Sequence, residues 1–138
     1  MNQTTADIFH VIVWIDHRVA RLYAVKRDRV EEIGIVHAPD EGRGNIHHKA
    51  GTPGSGHNHA PPVFLRDVAD ALAHAHEILI VGPSDAKFAL ENHLKIHTPM
   101  QARRVLGVEP MERAGQIELH AFAGLFFRQA DRMGKSAP

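Results

Sequence analysis

The sequence predicts an α/β sandwich built on a mixed sheet. Two observations carry this. Three short strand-like segments joined by tight polar turns fill residues 10–37, which describes an antiparallel meander. Beyond residue 62 the apolar period alternates between that of a helix and that of a strand, which describes α and β elements packed in layers.

Val11 to Ile15 is an apolar run rich in β-branched residues, as a buried strand requires. Asp16-His17-Arg18 is a polar break of hairpin length, and Asp16 at its tip reads as a turn residue. Val19 to Val25 alternates, placing Val19, Arg21, Tyr23 and Val25 on one face and Ala20, Leu22 and Ala24 on the other. Val30 to His37 is the third strand. Leu65, Val68, Ala69, Leu72, Ala73 and His76 recur at helical spacing, and Pro62 suits the first turn of that helix. Ile78 to Val81 is a short buried strand. Gly82-Pro83 turns the chain, and Ser84 is the expected N-cap of a helix from Asp85 to about His97, stopped by Thr98-Pro99. Arg103 to Val108 is the fifth strand. Gly115 to Asp131 is the last helix, expected to face inward through Ile117, Ala121, Phe122, Leu125 and Phe126, with Phe127 left as an exposed anchor for self-association. This β-β-β-α-β-α-β-α order is also that of the ribonuclease H-like fold.

The 138 residues predict one domain, 1–138, large enough to bury a core without staples. No cysteine is present, which removes disulfides, thiol catalysis and Cys-based zinc sites. No apolar run reaches the length of a membrane span, and the start MNQTTADIF lacks a basic region followed by an apolar stretch, so a cytoplasmic protein with no membrane partner is expected. Lys+Arg and Asp+Glu balance at 16 each, so any nucleic-acid contact requires a local patch. Histidine, at 12 residues, is the compositional outlier.

Residues 39–62 form a Gly/His-rich loop without periodicity. Arg43, Asn45, His47, His48, Lys49, His57 and His59 supply donors and positive charge on a glycine-loosened backbone, which suits contact with an RNA backbone. The same His47, His48, His57 and His59 suit zinc or another divalent metal, although the spacing fixes no geometry. Gly82, Ser84, Asp85 and Lys87 bracket a helix start, a place where backbone N–H groups favour an anion, and Lys87 would add a cationic contact to an RNA phosphate. The alternative at this turn is an ordinary strand–helix connection. Asp16 has no evident set of partner carboxylates for two-metal chemistry. His93 and His97, one helical turn apart, read either as a metal chelate or as partly buried packing residues. No Ser/His/Asp arrangement or dinucleotide fingerprint is present, and no catalytic residue is nominated.

Three stretches resemble the middle domain of archaeal and eukaryotic peptide-chain release factors and of Pelota, the ribosome-rescue factor, a likeness shared with short bacterial proteins described as translational machinery proteins. Gly42-Arg43-Gly44-Asn45, after the third strand, resembles the Gly-Arg-Gly-Gly-Gln approach of release factors. Ile80-Val81-Gly82-Pro83-Ser84-Asp85-Ala86-Lys87-Phe88 is similar to the strand–turn–helix of Pelota-type domains, and VIVWIDHRVARLYAV to their first hairpin. The resemblance implies a ribonuclease H-like fold and a translation partner, the ribosome or its rRNA. Release factors hydrolyse peptidyl-tRNA with a Gly-Gly-Gln tripeptide; Gly44-Asn45-Ile46 stands in its place, so hydrolysis is not implied. The expectation is a non-catalytic, ribosome- or RNA-associated rescue or hibernation accessory without a cofactor. The alternatives are a metal-binding protein or metal-dependent hydrolase centred on the loop histidines, and a homo-oligomeric adaptor.

Overall fold

A computed structural model describes residues 9–39, 60–113 and 115–132. Five strands form one sheet: β1 (His10–Ile15), β2 (Val19–Val25), β3 (Val30–His37), β4 (Glu77–Gly82) and β5 (Val105–Pro110). The helices are α1 (Pro62–Ala71), α2 (Ala86–His97), the one-turn α3 (Pro99–Ala102) and α4 (Gln116–Arg132). The strand order is β3-β2-β1-β4-β5. β1 to β3 pair antiparallel as the meander predicts, while β4 joins β1 and β5 joins β4 in parallel. This is the mixed α/β sheet expected from the sequence.

The parallel neighbours β1 and β4 are apolar on both faces because both faces are covered, the usual condition of parallel strands. On one face Val11, Val13, Ile15, Ile78 and Ile80 pack against Phe64 and Val68 of α1 and Leu90 and Leu94 of α2. On the other, Ile12, Trp14, Tyr23, Leu79 and Val81 pack against Leu119, Ala123 and Phe127 of α4. The alternation of β2 is as read: Ala20 and Leu22 enter the first layer and Tyr23 the second. Trp14 closes its layer by donating its indole N–H to the Met111 carbonyl at 3.2 Å. At the opposite end of the sheet, buried Glu77 Oε1 lies 2.9 Å from His10 Nε2, outside hydrogen-bonding alignment.

Four sequence expectations change. α1 ends at Ala71, so Ala73 and His76 lie past the helix and are exposed, while Phe64, outside the periodic set, is fully buried. β5 starts two residues later than read, at Val105. The inward stripe of α4 is Leu119, Ala123 and Phe127, flanked by Phe122 and Phe126; Ile117, Ala121 and Leu125 face outward. Phe127, expected as an exposed anchor, is only 4% exposed, its ring 4.3 Å from that of His10. The reason for both α4 changes is the sheet. Phe126 stacks over Gly107 of β5, where a Cβ would lie 2.4 Å from the ring, and that contact fixes the rotation of the helix.

Among the described residues, no helix is long and apolar enough to cross a membrane.

Candidate functional site

The parallel pair β1 and β4 ends at one edge of the sheet, and the chain builds a cluster of turns there. Asp16 shapes the β1–β2 tip: its Oδ1 accepts from the Arg18 and Val19 amides at 2.8 and 2.9 Å. This is the turn role read from the sequence, a short carboxylate holding its own following backbone. At the end of β4, Gly82 lies so close to β1 that a Cβ would stand 2.1 Å from the Ile15 carbonyl oxygen. Only glycine fits that approach, which lets the strand turn immediately into Pro83 and Ser84.

α2 then begins one residue later than expected. Asp85, not Ser84, is the N-cap residue; its backbone is already helical (φ −86°, ψ 0°), and no side chain caps the helix. A side-chain cap needs an extended backbone at that residue, and neither hydroxyl nor carboxylate is placed to provide one. The Ser84 hydroxyl oxygen is buried without a hydrogen-bond partner among the described residues. The Asp85 carboxylate reaches back to the hairpin tip, 2.9 Å from His17 Nε2.

Lys87 is not a solvated side chain. It is 5% exposed, its ammonium donates to the Ser84 carbonyl oxygen, and it lies 4.7 Å from the centre of the Phe88 ring. The hydrogen bond and the cation–π contact compensate for burying the charge. Its place is beneath the turn, bracing it, rather than in front of the helix start. The anion expected at Gly82, Ser84, Asp85 and Lys87 would therefore meet backbone N–H groups beside a carboxylate.

The segment that carries Arg43, Asn45, His47, His48, Lys49, His57 and His59 lies outside the described residues, but both of its attachment points are at this edge. Leaving β3, the Ala38 amide donates to the Arg18 carbonyl of the hairpin tip at 2.9 Å. Returning, buried Ala60 lines a groove of about 370 Å³ with Asp85, Phe88, Ala89 and Asn92. The Arg18, His17, Asp85 and Ala60 contacts thus link the two ends through the hairpin tip and the α2 start. This clustering has no sequence signal, because His17 and Asp85 are 68 positions apart.

The opposite sheet face carries a second depression at the same end, about 470 Å³, lined by Trp14, Arg21, Tyr23, Glu32 and Arg113. Burial pushes the Tyr23 hydroxyl pKa up, the Glu32 charge adds to that, and Arg21 opposes both. Arg21 itself is held by Glu32 at 3.1 Å.

His93 and His97 do come together. Their rings lie 4.5 Å apart, tilted by 39°, on the last turns of α2. His93 is half-buried, as the packing reading expects, while His97 is exposed. The His93 pKa is lowered, first by burial, then by the His97 and Arg66 charges, with Asp70 opposing. Among the described residues, no three His, Asp or Glu side chains are placed to hold a metal.

No family model matches the chain, and no curated protein matches it. Solved structures do. Archaeoglobus fulgidus Pelota superposes with a TM-score of 0.58 at 18% identity, over 91% of this chain and 37% of that one. Thermoplasma acidophilum Pelota gives 0.57 at 17%, over 86% and 33%. Saccharomyces cerevisiae Dom34, described as a translation termination-like factor involved in RNA quality control pathways and interacting with Hbs1, gives 0.52 at 9%, over 86% and 35%. The chain spans about a third of the length of each. The resemblance to the Pelota middle domain, expected from the sequence, is borne out as a likeness of fold.

Proposed function

We propose that this chain is a translation accessory that binds the ribosome without catalysing a reaction, touching rRNA through the Gly/His-rich segment 39–62. One observation carries the reading: in a Pelota-type fold, both ends of that segment are anchored at the edge formed by the β1–β2 tip and the α2 start. A donor-rich segment held at both ends presents its side chains from a fixed base, which lowers the ordering cost of binding. Arg43, Lys49 and the four loop histidines are the contacting residues of this reading, with Asn45 adding an amide. Glycines among them let the backbone follow a phosphate chain. Lys87 contributes indirectly, by bracing the turn at the anchor. The absence of Gly-Gly-Gln at Gly44-Asn45-Ile46 supports a role without peptidyl-tRNA hydrolysis.

The test is sedimentation of the untagged protein with ribosomes on sucrose gradients across a salt series. Co-migration that weakens as salt rises is expected, because phosphate contacts release counterions. If Arg43 and Lys49 each neutralise one phosphate, log affinity falls against log salt with a slope of roughly −1.4 to −1.8. Replacing residues 43–59 by a Gly/Ser linker should abolish co-migration. Association that ignores salt, or survives the replacement, overturns the reading.

A further inference from the structure

We propose that His93 and His97 form a two-imidazole chelate for a divalent late transition metal on the outer surface of α2. Side chains at i and i+4 on a helix stand one above the other, so the pairing itself follows from the helix. The structure adds the convergence. The two rings lie 4.5 Å apart between centroids, which brings both imidazoles to one side of the helix within reach of a single ion. Neither ring makes a hydrogen bond or an ion pair with any described residue, so their nitrogens are uncommitted.

The helix end suits a cation. His97 is the last residue of α2, where the unsatisfied carbonyls make the helix end partly negative. Lys95, the nearest cation on the same turn, is drawn to Glu91 at 3.7 Å. On α1, Arg66 opposes positive charge at His93, and Asp70 favours it more weakly. Imidazole nitrogen selects copper, zinc and nickel over magnesium or calcium, and copper binds tightest in that series. No third protein ligand joins the pair among the described residues, so water completes the coordination and the ion stays exchangeable.

The test is an amide NMR spectrum of the full-length untagged protein with substoichiometric Cu²⁺. Broadening of the amides around residues 93–97 is expected in the wild type. His93→Gln alone should remove nearly all of it, and His97→Gln should do the same, because a chelate needs both rings. Zinc in large excess should compete with the copper, and magnesium at the same excess should not. Two outcomes overturn the proposal: broadening confined to the histidines of residues 47–59, or broadening that each single substitution reduces only by half, the mark of independent imidazoles. The substitutions lie on the helix surface, and an unchanged circular dichroism spectrum confirms that the fold is retained.

Discussion

His17 and Asp85 meet at 2.9 Å across 68 residues of chain, tying the tip of the first hairpin to the first residue of α2. The Asp85 side chain remains three-quarters exposed, so the pair contributes little to stability in itself, on the order of 1 kcal/mol or less. Its effect is positional. It holds together the hairpin tip that bonds Ala38 and the α2 start that lines a groove with Ala60.

Gly82 should be irreplaceable for a steric reason. In Gly82→Ala the new methyl would stand 2.1 Å from the Ile15 carbonyl oxygen, and a strand backbone must move to admit it. Crowding of this kind costs about 1–3 kcal/mol. A lowered urea midpoint with an unchanged slope is the expected result. A neutral substitution would mean that β1 and β4 are not this close.

Lys87 separates a bracing role from a ligand-contacting one. Lys87→Met keeps the buried stem and removes the bond to the Ser84 carbonyl, at a cost of about 1–2 kcal/mol. In ribosome binding, the salt slope should stay unchanged. A slope smaller by about one unit would show instead that the ammonium contacts a phosphate.

The orientation of α4 predicts opposite outcomes for two neighbours. Phe127→Ala empties a buried position against His10 and should cost about 3 kcal/mol or more. Leu125→Ala, on the outer side of the helix, should stay within about 0.5 kcal/mol. Urea denaturation of both variants checks the pair, and reversed magnitudes would rotate the helix.

His93 should make stability fall on acidification. Its pKa is lowered in the folded protein, so the unfolded chain binds the proton more readily. The contribution is therefore fully present above the ordinary imidazole value of 6.5 and is lost progressively as pH drops below it. His93→Gln should show a smaller decrease in melting temperature between pH 7.5 and pH 5 than the wild type. An equal decrease would place the acid sensitivity elsewhere.

Much of the fold is legible in the amino-acid order because it is local. β-branched runs with tight polar turns specify β1 to β3, and Val11 to Ile15 and Ile78 to Val81, apolar at every position, announce strands covered on both faces. The Asp16 turn is equally local, its carboxylate bonding amides two and three residues on. What the tertiary structure alone decides is orientation and cross-chain contact. α4 carries apolar residues around most of its circumference, so periodicity identifies a helix without choosing its buried side; the groove at Gly107, filled by Phe126, makes that choice. Ser84 has the chemistry of a cap, yet the close approach at Gly82 is followed by a helical backbone at Asp85, which takes the position. Lys87 reads as a surface cation until the turn folds over it. Local sequence sets backbone preference, but which side chains share a site depends on sheet register and helix rotation, which are fixed by packing between residues far apart in the chain.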